Sequence, residues 1–319
     1  HLSLRRQRQM CIRDRSKDAG SIPATSTKLG TPFKLIGRVS HDTSAALSVV
    51  RPFVYTQGRT LSVSECVRSV VSVVEPLLER VSLMKPIGVF DSGIGGLTVV
   101  KELLRQLPGE DIVYLGDTAH LPYGTKSAET IIRFTLDNIL FLLKQNVKLI
   151  IVACNTASSL ALDEVRRHFR IPIIGVIQPG AWRAAHITKT RCIGVIGTRA
   201  TINSKAYERQ IKKINSTIKV ISQACPLFVS LVEEGWLKQP ETVGIAKKYL
   251  GALIGKDKKM DTLILGCTHY PLLKPVLKRV LGKNIKLIDS AQEAAREVRE
   301  ILEENGLCLL YTSDAADEG

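Results

Sequence analysis

The chain has 319 residues, 45% of them hydrophobic and 24% charged, with a formal net charge of +15. This length allows a well-buried core and more than one folding unit, and no apolar run approaches the roughly 18 residues of a membrane span. The seven cysteines include no C-x-x-C pair, which removes the usual zinc spacings, and a chain with this much core needs no disulfide framework. The basic residues are scattered without a nucleic-acid motif, so the charge reads as a solvated surface and no nucleic-acid partner is expected.

Residues 1–83 carry no sustained period. "LSVSECVRSVVSVVEPLLERV" offers at most a short helix and lacks the layout of a signal peptide. Met84 stands at the head of a strong strand-loop-helix pattern and is the expected start of the folded protein. "MCIRDRS" near the beginning and "CLLYTSDAADE" at the end resemble translated sequencing-adapter sequence. Residues 1–83 and 303–319 are therefore expected to be non-native or poorly ordered.

From Met84 onward short apolar runs alternate with amphipathic stretches. "IGVF" (87–90), "DIVYLG" (111–116), "VKLIIVAC" (147–154), "IPIIGVI" (171–177), "CIGVIG" (192–197), "IKVISQ" (218–223), "DTLILGC" (261–267) and "IKLIDS" (285–290) read as strands. They lack polar alternation, as strands buried on both faces do. Between them "GLTVVKELLRQL", "SAETIIRFTLDNILFLLKQN", "SSLALDEVRRHF", "ATINSKAYERQIKKI" and "PETVGIAKKYLGALIG" read as helices. The alternation predicts an α/β protein with parallel, doubly wound sheets.

The pattern is also doubled. "IGVFDSGIGG" at 87 is echoed by "IGVIGTRATI" at 193, and "LIIVAC" at 149 by "LILGC" at 263. Two similar domains related by a pseudo-two-fold axis follow, with a cleft between them. The expected division gives residues 84–181 plus about 289–302 to the first domain and 182–288 to the second, with the boundary near Pro179 to Thr190.

Ligands of open α/β sheets bind beyond the carboxyl ends of the strands. Polar residues collect there: Asp91-Ser92, Asp117-Thr118 with Pro122-Tyr123-Gly124, Cys154-Asn155-Thr156, and Cys267-Thr268-His269. "DSGIGGLTVV" is a weak match to a dinucleotide fingerprint. Its third glycine is misplaced, and Asp91 would bring negative charge to a pyrophosphate. It reads instead as a tight turn whose backbone N–H groups are available to an anion such as a carboxylate.

One cysteine after a strand reads as a small core residue. Two at matching strand ends of a doubled chain read differently. Across a cleft, opposed thiols suit proton transfer to opposite faces of one carbon, one thiolate removing a proton and the other thiol delivering one. A free thiol, with a pKa of about 8.5, needs help to ionise at neutral pH, and Asp91 and His269 are the natural assistants. Asn155, Thr156, Ser92 and Thr268 can grip carboxylates, and Asp91 can accept from an amino group, so the substrate reads as a small amino acid.

These residues bring the chain into register with a known family. "DSGIGGL" (91–97), "GDTAHLPYG" (116–124), "ACNTAS" (153–158), "CPLFVSLVEEG" (225–235) and "GCTHYP" (266–271) together make Met84 to Leu302 resemble glutamate racemase, the cofactor-independent racemase of bacterial cell-wall synthesis. The resemblance implies Cys154 and Cys267 as alternating base and acid. It implies substrate contacts from Asp91, Ser92, Tyr123, Gly124, Asn155, Thr156, Thr268 and His269. Glu233 is implied as the acidic neighbour of His269, with Glu234 left open. It implies glutamate as substrate and no cofactor; the absent zinc spacings, the lack of a long apolar run and the free thiols add the expectations of no metal, no membrane and a cytoplasmic location, and a homodimer is left open. Ser230 departs from the pattern, which would place Pro there. Other readings are a racemase of the same superfamily acting on aspartate or a hydantoin, a non-catalytic regulatory protein on this fold (some relatives are thought to restrain DNA gyrase), and a pyridoxal-phosphate racemase. No phosphate loop supports the last.

Overall fold

The structure, a computed structural model, describes the strand Leu35–Val39 and residues 83–309. All of them belong to one compact unit, Pro32–Gly319. The remaining parts of the two expected tails lie outside the described residues.

The first sheet holds β2 (Ile87–Asp91), β3 (Ile112–Gly116), β4 (Leu149–Val152) and β5 (Ile173–Gly175), parallel and in the order β3-β2-β4-β5. The second holds β6 (Cys192–Gly197), β7 (Lys219–Ala224), β8 (Thr262–Gly266) and β9 (Lys286–Asp289), parallel and in the order β7-β6-β8-β9. The orders are the same when β2 is laid on β6. All eight strands stand where the apolar runs predicted them. A strand that the sequence reading did not anticipate, β1 (Leu35–Val39), lies antiparallel to β3 at the edge of the first sheet.

Each sheet is covered on both faces, and its central strands are apolar throughout, whereas the edge strands β7 and β9 carry polar residues that are exposed or half-buried. On the first, Ile87, Val89, Leu149 and Ile151 face α1 (Leu97–Gln106) and the C-terminal helix α11 (Ser290–Glu304). Phe90, Ile150 and Val152 face α2 (Ala128–Leu143) and the short helix α3 (Asn155–Leu160). On the second, Ile196, Leu263 and Leu265 face α8 (Leu227–Glu233), α9 (Pro240–Lys256) and α10 (Lys274–Leu281). Ile193, Val195 and Ile264 face α5 (Ile177–Ile187) and α7 (Ala206–Ile214). Two further short α-helices among the described residues are α4 (Leu162–Val165) and α6 (Arg199–Asn203). Truncating one of these strand residues, such as Ile151→Ala, costs about 2–5 kcal/mol.

The halves exchange helices. α5 follows β5 of the first sheet, yet Ile177, Ala181 and Ala184 pack on the second. α11 follows β9 of the second sheet, yet Ala294, Ala295 and Val298 pack on the first. The hand-over between halves therefore comes at Ile177, before the stretch expected to divide them, and Pro179 is accommodated in the first helical turn. The end of the chain also differs from expectation. α11 runs to Glu304, and Leu307 and Cys308 pack on the first core. The buried Lys148 ammonium, paired with Glu110 at 2.6 Å, donates to the carbonyls of Leu83 and Leu307.

Candidate active site

The central strands set the two thiols at the same depth. Gly88 of β2 pairs with Ile150 and Phe90 with Val152; Gly194 of β6 pairs with Leu263 and Ile196 with Leu265. In each half the cysteine is the second residue after the later partner: Cys154 beyond Val152, Cys267 beyond Leu265. Both line one cavity of about 400 Å³ at the carboxyl ends of the strands. Ser92, Tyr123, Gly124, Asn155, Thr156, Glu233, Thr268 and His269 line it too.

Cys154 is buried and precedes α3. Its thiol donates to Ser92 Oγ at 3.6 Å. Burial and the negative charge of Asp91 push its pKa up to about 12, outweighing the Ala157 amide and the Ser92 hydroxyl. It is a neutral thiol at physiological pH.

Cys267 has a different neighbour. His269 Nδ1 lies 3.7 Å from its sulfur, and His269 Nε2 lies 3.1 Å from Glu233 Oε1. Burial disfavours the imidazolium. The hydrogen bonds to Cys267 and Glu233, with the charges of Cys267 and Asp91, more than offset this and raise the His269 pKa to about 10. The row Cys267–His269–Glu233 thus sets a positive ring beside the sulfur and a carboxylate behind it. Glu234 ends α8 as its C-cap and is exposed; Glu233 is the residue that reaches the imidazole.

Asp91 is placed otherwise than expected. It is fully buried and does not line the cavity. Its Oδ2 accepts from the Gly93 and Gly96 amides, both at 3.0 Å, and Oδ1 accepts from Thr268 Oγ1 at 3.3 Å. This corrects the expectation that the loop amides are free for a ligand's anion, since Gly93 and Gly96 already donate to the loop's own carboxylate. The loop's own carboxylate takes those amides, because a buried charge must be paired. Burial raises the Asp91 pKa against these hydrogen bonds. Gly95 of the same loop lies so near the second half that a Cβ would fall 2.4 Å from Thr268 Oγ1 and 2.6 Å from His269 Nδ1. The glycines let the first half seat the Thr268–His269 pair of the second.

The sequence profile of the Asp/Glu/Hydantoin racemase family matches residues 87–298. The chain belongs to this family. It is an amino-acid racemase. A glutamate racemase of Geobacter metallireducens is 53% identical over 230 residues, 72% of this chain and 84% of that protein. The crystal structure of glutamate racemase isoform RacE1 from Bacillus anthracis superposes with a TM-score of 0.68 at 43% identity, covering 70% of this chain and 84% of that one. That of Francisella tularensis glutamate racemase in complex with D-glutamate gives 0.66 at 47% identity, covering 70% and 83%.

The racemase site holds residues that the sequence reading passed over. Thr198 and Arg199, at the start of α6, and Pro226, Leu227, Val229 and Ser230, in and before α8, also line the cavity. For Thr198 a signal existed: it follows "IGVIG" as Ser92 follows "IGVFD", so the doubling that marked Cys267 as the echo of Cys154 marked Thr198 as the echo of Ser92. Thr198 Oγ1 lies 3.0 Å from Thr156 Oγ1 and caps α6 through the Thr201 amide. Tyr123 owes its placing to Asp117, to which its hydroxyl donates at 2.6 Å; the same carboxylate holds His120 Nδ1 at 2.8 Å.

Proposed function

We propose that this racemase interconverts L- and D-glutamate by two-base proton transfer at Cα, with Cys154 and Cys267 exchanging the roles of base and acid and no cofactor taking part. One observation carries the reading: two thiols at the same register of two equivalent strands, lining one cavity. Fixed groups on opposite sides of Cα invert it without either swinging around the substrate. In one direction the thiolate of Cys267, beside the His269 imidazolium, takes the Cα proton, and the neutral thiol of Cys154 delivers its own to the other face. In the reverse direction Cys154 is the base, and its high proton affinity makes its thiolate a strong one.

Ser92, Asn155, Thr156 and Thr268, with the backbone at Tyr123–Gly124, are the groups assigned to the two carboxylates and the amino group. Glutamate is preferred over aspartate because the relatives at about half identity are glutamate racemases, one of them crystallised with D-glutamate. The product would feed bacterial cell-wall peptidoglycan. Working free thiols suit the reducing cytoplasm, and among the described residues no helix is long and apolar enough to cross a membrane.

The test follows optical rotation or circular dichroism of D-glutamate with purified protein and no cofactor, in D2O. The early product is expected to carry deuterium at Cα while recovered substrate is still mostly protiated, in both directions. Product that keeps the substrate's own proton would refute two fixed bases; no reaction with glutamate, but turnover of aspartate, would refute the substrate.

A further inference from the structure

Asn155 is the residue after Cys154 and lines the cavity, but most of its amide is already engaged by groups outside the mechanism above. Its Oδ1 accepts from the Tyr207 hydroxyl at 2.7 Å, and its Nδ2 donates to Ser290 Oγ at 3.4 Å. Ser290 Oγ in turn donates to the Leu265 carbonyl at 3.1 Å. All four residues are buried. Tyr207 comes from α7, Ser290 opens α11, and Leu265 lies on β8 two residues before Cys267. The row therefore joins the loop of one thiol to the strand of the other.

The row has a direction. A backbone carbonyl only accepts, so the Ser290 hydroxyl hydrogen points to Leu265. Its oxygen then accepts from Asn155, which makes the group facing Ser290 the NH2 and the group facing Tyr207 the carbonyl oxygen. One N–H of that NH2 goes to Ser290, which leaves the second, on a side chain that lines the cavity, with no hydrogen-bond partner among the described residues. Tyr207 keeps its proton at any working pH, since burial raises its pKa far above the ordinary phenol. Its ring is fitted into place by the motif that carries the second thiol. A Cβ on Gly266 would fall 3.0 Å from Tyr207 Cε2 and 2.7 Å from the Ile196 carbonyl oxygen.

We propose that Tyr207 and Ser290 are positioning residues for racemisation: they lock the Asn155 amide in the orientation that offers N–H, not C=O, to a substrate carboxylate, and they tie the Cys154 loop to the Cys267 strand. An amide free to flip would spend part of its time aiming an oxygen at an anion. The inference rests on the reading of Asn155 as a substrate contact.

The test uses the full chain with Tyr207→Phe, Ser290→Ala and Asn155→Ala, singly and as the double variants with Asn155→Ala. D-glutamate affinity is taken from KM, or from calorimetry where turnover is too slow, and thermal unfolding is recorded beside it. Losing one buried hydrogen bond predicts a KM raised about tenfold in Tyr207→Phe and about fivefold in Ser290→Ala, with kcat changed less. In the Asn155→Ala background neither substitution should weaken affinity further, although any loss of thermal stability should persist. A merely structural role would move stability and leave this coupling at zero. Unchanged KM in a folded single variant, or affinity losses that simply multiply in the double variants, overturns the proposal. If Tyr207→Phe does not fold, Ser290→Ala carries the same comparison. Failure of the unsubstituted chain to racemise glutamate at all would instead refute the substrate reading.

Discussion

Cys154 and Cys267 sit at the same register of equivalent strands, yet their surroundings are opposite in sign. Around Cys154, burial and then the negative charge of Asp91 drive the thiol up to about 12. Beside Cys267 stands His269, held as an imidazolium up to a pKa of about 10 with Glu233 behind it. Backbone symmetry thus supplies two thiols facing one cavity, and the side chains around them break that symmetry.

The largest effect should come from removing either member of the pair. Cys154→Ala and Cys267→Ala should each lower racemisation about 10³-fold or more in both directions, since each direction uses one sulfur as base and the other as acid. Circular dichroism from each enantiomer measures this. A variant that retains near wild-type turnover in even one direction would show that its sulfur is not part of the proton path, and the equivalence of the two halves would be structural only.

Much of this comparison was legible in the chain itself. Strands buried on both faces are apolar along their whole length, so the central ones appeared as unbroken runs, and the repeated order exposed the two cysteines as counterparts. What stayed hidden depends on neighbours distant in sequence. Asp91 at a strand end looks like a ligand contact, because nothing local reveals that the Gly93 and Gly96 amides close on it. The Tyr207–Asn155 bond spans 52 residues and two sheets. The boundary expected near Pro179 to Thr190 begins inside α5, where proline is tolerated in the first helical turn and the buried face, Ile177, Ala181 and Ala184, is mostly small. The choice between Glu233 and Glu234 needed the end of α8, which turns one to His269 and leaves the other at the cap.

The next effect sharpens the Cys267 side. His269 has a folded pKa of about 10 against an ordinary 6.5. The stabilisation that its positive ring brings is complete below about 6.5 and is lost as pH rises through about 10. The alkaline limb of kcat/KM is therefore expected near 10. His269→Asn should abolish that limb and lower kcat/KM about 10²-fold. Glu233→Gln removes one group that holds the imidazolium and should move the limb to lower pH with a smaller loss. Rate profiles from pH 6 to 11 decide it; a limb unmoved by both substitutions would detach His269 from the chemistry.

The smallest effect lies on the Cys154 side, where Ser92 is the only hydrogen-bonding side chain given to the sulfur among the described residues. Its hydroxyl accepts from the thiol and can turn to donate to the thiolate, so it favours ionisation that Asp91 and burial oppose. Ser92→Ala should push Cys154 further above about 12 and slow the direction in which Cys154 takes the proton. One weak bond to sulfur predicts about a threefold loss of kcat. The enantiomers have equal free energy, so kcat/KM must fall equally from both sides. The asymmetry can appear only in kcat, with KM following it. Initial rates from L- and D-glutamate at saturation give the two kcat values directly. An equal fall in both would mean that Ser92 serves the substrate rather than the sulfur, and no change in either would leave the Cys154 thiolate without the hydroxyl's help; either result removes Ser92 from the contrast between the two thiols.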